Sequence, residues 1–250
     1  MIKNLLHSQY QQRFKTVMFG ILALMIALGE YTEAISLVND AVAYIQRQYT
    51  NELEYELLEK LHVGNTVSYV ESFVGSPQVA RVIDQQTTAN YFDMDKCLLT
   101  IFYKQQRVTG YTVLALVEGF APDTFKVGAS AGALGTFKLG DVAAINTDYV
   151  VDHSKAASYF VEQFDSGYSG LLTKGFLGNV GYGVNAQTDA IVGLYEQQVY
   201  GTDADIAPVL KALRNKVQAN FYGEGDLTLA MVEKSLMTPA EFSAYFGGRP

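Results

Sequence analysis

The sequence predicts an α+β protein: an N-terminal transmembrane helix, then helices packed on antiparallel sheet. Three observations carry that expectation. Thr16 to Gly29 is uncharged, apolar residues between Asn51 and His62 recur at helical spacing, and two β-prone runs, Lys96 to Tyr103 and Val108 to Val117, flank the polar four Lys104-Gln105-Gln106-Arg107. The polar four fit a hairpin loop.

The first element is the uncharged run TVMFGILALMIALG. Lys3, Arg13 and Lys15 precede it with no acidic residue, whereas Glu30, Glu33 and Asp40 follow it with no basic residue before Arg47. The positive-inside rule then keeps residues 1–15 in the cytoplasm and exports the rest. Ala34, Ile35, Leu37 and Val38 extend the apolar pattern, so 16–38 is expected to act as an uncleaved signal anchor. Two other uses remain open: a cleaved signal peptide, with small Ala27 and Gly29 before the cut, or a buried helix of a soluble fold.

Composition bounds what is exported. The chain of 250 residues has a net charge of −8; residues 1–29 carry +3, and removing them leaves −11. Such an acidic surface argues against nucleic acid as a partner. An apolar fraction of 49% with 17 Tyr and 14 Phe is ample for a packed core. The lone Cys97 excludes an internal disulfide framework.

Next come helices. Ile35, Val38, Ala41, Val42 and Ile45, then Leu53, Leu57, Leu58 and Leu61, recur at three- and four-residue intervals, so 39–62 is expected to be a helical stalk, with two ordinary core helices as the alternative. The sharpest local signal follows, in 61–77. Gly64 permits a turn, Thr66 is an N-cap, and Val67, Val70 and Val74 share a face. Gly75 suits a left-handed stop and Pro77 blocks continuation.

The order Leu-x-Val-Gly-x-Thr-x-x-x-Val-Glu-x-x-x-Gly-x-Pro, followed by strand, polar turn and a strand opening Arg107-Val108-Thr109-Gly110-Tyr111, resembles the SmpA/OmlA (BamE-type) module, also seen in β-lactamase-inhibitor-like proteins. The resemblance covers about residues 57–117, within an expected module at 63–120. It implies two helices on an antiparallel sheet, with Gly64, Thr66, Val70, Gly75 and Pro77 as structural markers, and non-enzymatic work by protein contact at the bacterial envelope. The chain departs from that family in lacking a lipoprotein cysteine near its N-terminus and in being about twice as long as a single module.

The second half, 121–202, is rich in Gly and Tyr. Gly128, Gly132, Gly135 and Gly140 match neither a dinucleotide fingerprint nor a P-loop, so a connecting loop is expected. Leu134 to Val142 faintly echoes the Gly-Asn-Thr motif, which leaves room for a second module in tandem. Ala157 to Phe164 and Gly167 to Asn185 suggest strands with bulges or tight turns. In 203–250 helices return: one capped by Asp203 or Asp205 and running to about Phe221, a break at Gly223-Glu224-Gly225, a shorter helix at 226–236, and a last one opened by the capping box Thr238 to Glu241.

No catalytic residue, metal ligand or cofactor site is assigned. His7, His62 and His153 are not paired by spacing, a Cys97–His153 thiol dyad is set against an apolar strand that favours burial of Cys97, Asp93 with Asp95 lacks a third ligand nearby, and Glu162 with Asp165, or Glu196, leaves open an acid/base pair in a glycosidase-like cleft that carboxylates at this density also offer by chance. The expected function is that of a single-pass inner-membrane protein whose periplasmic α+β domain binds another envelope protein. The alternative is an extracytoplasmic hydrolase or small-ligand-binding protein with a site in the second half.

Overall fold

The computed structural model describes residues 15–24, 35–36, 50–124, 132–142, 148–165 and 173–247. By contacts the chain divides into Met1–Leu53 and Glu54–Pro250. In the first unit residues 15–24 are helical, and most of the expected span and stalk lie outside the described residues. The transmembrane expectation is corrected here. Among the described residues no helix is long and apolar enough to cross a membrane, and 15–24 spans only about 15 Å of the roughly 30 Å of hydrocarbon.

The second unit is α+β. Helices α1 (Glu52–Lys60, entering from the first unit) and α2 (Val67–Val74) lead into a meander of β1 (Val79–Val82), β2 (Thr87–Asp93), β3 (Cys97–Lys104) and β4 (Arg107–Ala115). Strands β5 (Asp148–His153), β6 (Ser158–Asp165) and β7 (Lys174–Val180) follow. Then come α3 (Thr188–Tyr200), α4 (Asp203–Lys216), β8 (Phe221–Gly225), α5 (Leu229–Ser235) and α6 (Pro239–Phe246). The eight strands form one antiparallel sheet in the order β1-β2-β3-β4-β8-β7-β6-β5.

That single sheet overturns the tandem-module expectation. The two halves meet through the β4–β8 ladder, Gly110↔Gly225 to Leu114↔Phe221, so each central strand lends the other the hydrogen bonds an isolated module would leave at an open edge. Helix placement differs as well: two helices precede the first meander, whereas two interrupt the second between β7 and β8.

Both faces of the sheet are covered, which gives three layers. On one face Leu58, Val70, Ile191, Leu194 and Leu213 of α1 to α4 pack with Leu99, Ile101, Val113, Leu177 and Tyr222. On the other, Val232 of α5 and Phe246 of α6 pack with Tyr91, Phe102, Leu114, Phe176 and Phe221. Burial on two faces explains why Cys97 to Tyr103 is buried without interruption.

Three elements differ from the sequence reading. Helix α4 is capped by Thr202, whose backbone and hydroxyl both donate to Asp205, and it stops at Lys216. Phe221 to Gly225, read as a helix end and a break, is the central strand β8. Its Gly225 has φ +146°, and a Cβ there would collide with Gly110 Cα and the Thr109 carbonyl, so the register across the seam requires glycine. His153, read in a polar turn, ends strand β5.

Candidate functional site

The motif residues from Gly64 to Pro77 build a turn, a helix and a stop. Gly64 has φ +92° and donates to the Val108 carbonyl at 2.8 Å, while its own carbonyl accepts from Arg107 Nη1 at 2.9 Å. Thr66 Oγ1 accepts from Tyr69 N, Val70 is fully buried, and Gly75 closes α2 by donating to the Glu71 carbonyl before half-buried Pro77. These contacts fasten α2 to β4.

The other residues singled out in the sequence do not converge. Cys97 is fully buried in β3, and burial, reinforced by Glu54, pushes its thiol well above the usual range despite Lys96. His62 is exposed and its backbone donates to Asn65 Oδ1; His153 Nδ1 lies 3.1 Å from Ser158 Oγ. Asp93 accepts from the backbone of Asp95 in the β2–β3 turn, and Glu196 is exposed on α3. Glu162 is buried against Arg214 of α4, with Nε 3.0 Å from Oε2. His7 and the Asp165 side chain lie outside the described residues. Among those described, no group of three or more His, Cys, Asp and Glu could hold a metal ion.

Two other places remain. The first is the outer edge of β1. Ile83 N donates to the Thr87 carbonyl, and by the alternation of an antiparallel ladder Arg81 also bonds inward while Ala80 and Val82 turn their backbone groups off the sheet. Val82 is 75% exposed. The one charge on this strand is drawn away: Arg81 donates to the carbonyls of Lys234 and Leu236 and to Glu241 Oε1, and its guanidinium lies 5.8 Å from the Tyr91 ring centre. The opposite edge strand, β5, carries Asp148 and Asp152, charges of the kind that discourage strand addition.

The second is a cavity of about 310 Å³ over the β4–β8 seam, lined by Tyr55, Leu58 and Glu59 of α1, Tyr111 of β4, Pro122, Asp123 and Tyr222 of β8. Tyr111 and Tyr222 are buried and meet edge to face, centroids 6.4 Å apart. Tyr55 stacks obliquely on Phe120, and its hydroxyl accepts from Ala121 N at 2.9 Å. A smaller hollow of about 150 Å³ near Phe120 is bordered by Asn220, whose amide is committed to Val180 and Val184. The sequence marks Leu58 as part of a helical stripe and Tyr111 as part of the motif strand, neither of them as a site residue. Tyr55, Tyr111 and Tyr222 come from distant segments, and the alternation of β4 and β8 onto one face was the only available signal.

Compared with known proteins, the chain matches no family model, no curated protein and no solved structure.

Proposed function

We propose that this is an exported interaction protein whose α+β domain receives an extended segment of a partner protein along β1. The observation that carries this reading is the apolar outer edge of β1, where Ala80 and Val82 are exposed and Arg81 is folded back onto the C-terminal helices. An added strand would gain main-chain hydrogen bonds there, with side-chain contacts to Val82 setting preference. Export is supported by the charge asymmetry about Thr16 to Gly29. The order of α1, a Gly-Asn-Thr turn, α2, Pro77 and a meander supports kinship with the BamE-type module over residues 57–117.

A photocrosslinking residue at position 82 tests the edge, with position 150 on β5 as the control. The expected result is one partner captured from position 82 alone, and a synthetic peptide of the crosslinked segment that binds the wild-type chain but not Ala80→Lys/Val82→Lys. Equal capture from both edges, or peptide binding that survives the double substitution, would overturn the reading. A reporter fused after Pro250 tests export separately: activity outside the cytoplasm is expected, and activity confined to the cytoplasm refutes it.

A further inference from the structure

A wider hollow, of about 440 Å³, opens where β1 turns into β2 and β8 runs on into α5. Its walls come from that turn, the end of β3, β4, the β8–α5 connection and α5 itself, all within 84–109 and 226–231, which are described without a break. Part of the lining is committed to the fold. Asp84 Oδ1 accepts from Gln86 N and Thr87 N, both at 2.8 Å, and the hydroxyl of buried Thr87 also donates to Asp84. Thr109 Oγ1 donates to the Phe102 carbonyl, and Thr228 Oγ1 accepts from Met231 N at the start of α5.

Four polar side chains of the lining are left over: Gln85, Gln86, Lys104 and Asp226, all exposed. Among the described residues none of the four makes a side-chain hydrogen bond or an ion pair, and Asp84, whose charge Lys104 feels, is already engaged by its own turn. One ammonium and one carboxylate therefore face the same hollow, carried by β3 and by the residue after β8, on either side of β4 and roughly 10 Å apart at the backbone. Filling the hollow strips water from both ions. A neutral molecule would leave both desolvated and unpaired, and a singly charged one would leave one of them so, whereas a molecule with a carboxylate at one end and an ammonium at the other compensates both. A dipeptide has the span, since two extended residues reach roughly 7 Å and the flexible stem of Lys104 covers the rest. Its amide is both donor and acceptor, as are the carboxamides of Gln85 and Gln86. A metal ion is a poor occupant, because Lys104 repels it and Asp226 is the one carboxylate of the lining without another task. The volume lies in the range of ligand pockets, which run from roughly 300 Å³ upward.

We infer that this hollow is a binding site for a short zwitterionic peptide of dipeptide size, with Lys104 holding its carboxylate and Asp226 its ammonium. Gln85 and Gln86 meet the amide between them. The inference does not rest on strand addition at β1, which uses the backbone groups of Ala80 and Val82, so either can hold without the other.

Titration of the ¹⁵N-labelled full chain, at slightly acid pH where a free α-amino group is charged, tests this with three probes: glycylglycine, the cation glycylglycinamide and the anion N-acetyl-glycylglycine. Glycylglycine should shift amide resonances at 84–87, 104, 109 and 226–228. It should bind about threefold more tightly than either singly charged probe, the difference that one exposed ion pair makes. Lys104→Gln should remove its advantage over glycylglycinamide, and Asp226→Asn its advantage over N-acetyl-glycylglycine, each with an unchanged melting temperature because both side chains are exposed. Equal affinity for glycylglycine and either singly charged probe, shifts confined to other resonances, no shift at roughly 50 mM glycylglycine, or a preference that survives both substitutions would overturn the inference. Because the first comparison is made on the wild-type chain, it does not depend on any variant folding.

Discussion

Arg81 Nη2 lies 2.8 Å from Glu241 Oε1, so the outermost strand of the sheet is tied to the last helix of the chain. The carboxylate has two tasks. Its Oε2 accepts from the Thr238 backbone, and Glu241 N donates to Thr238 Oγ1, completing a capping box that starts α6. The Thr238 hydrogen bond is the main reason its pKa is lowered, with Arg81 contributing less.

The capping role should therefore dominate on mutation. Glu241→Ala is expected to cost about 1 kcal/mol as a lost cap, while the coupling of Arg81 and Glu241 in a double-mutant cycle should stay below about 1 kcal/mol because both side chains are only partly buried and water screens the pair. Urea melts of the two single variants and the double variant measure both quantities. A coupling larger than the cap term would make the ion pair the main fastener of β1.

The Arg214–Glu162 pair gives a pH signature. Burial pushes the Glu162 carboxyl up to about 7 from 4.5, and Arg214 offsets only part of that. The folded protein thus holds this proton to higher pH than the unfolded chain does. The resulting stability is fully present below about pH 4.5 and is lost as pH rises to about 7, a change on the order of 3 kcal/mol. Glu162→Gln cannot ionise, so the margin of wild type over this variant should narrow from pH 4.5 to 7 in paired urea melts. A widening margin would mean that Arg214 outweighs burial.

Gly75 has φ +83° and ψ −164°, a region open essentially to glycine alone, yet a Cβ there would touch nothing within 4 Å. Any cost of substitution is therefore backbone strain, without a clash. Gly75→Ala and Gly75→Val should each lose about 1 to 3 kcal/mol, and by similar amounts. Thermal melts in which alanine is neutral and only valine destabilises would point to crowding instead.

Legibility in the sequence followed how local each cause is. Helix α2 could be read because Thr66, Gly75 and Pro77 punctuate it within its own segment, and β3 because Leu98, Leu99, Ile101 and Phe102 form one apolar run. Strand β8 could not, because its glycines answer to Gly110 and Tyr111 on the neighbouring strand, which no local pattern records. Helix α3 hid for a related reason: only Ile191 and Leu194 are fully buried, too few to raise a helical stripe. The tyrosine cavity and the β1 edge depend on sheet order, and so on pairings between distant residues.

The last prediction concerns Cys97, which a thiol enzyme would need accessible and ionised. The residue pairs with Ala115 in the middle layer and is fully buried, with its neighbour Lys96 engaged by Glu54 at 3.3 Å. Burial and Glu54 both oppose a thiolate, so at neutral pH the side chain acts as a small apolar filler. A maleimide should label the native chain slowly and the urea-unfolded chain at once. Cys97→Ala should lower stability by only about 1 kcal/mol, as expected for a small buried truncation, and should leave partner capture from position 82 unchanged. Rapid labelling of the native thiol would show that the β3 layer opens at this point and would reopen the case for a nucleophile.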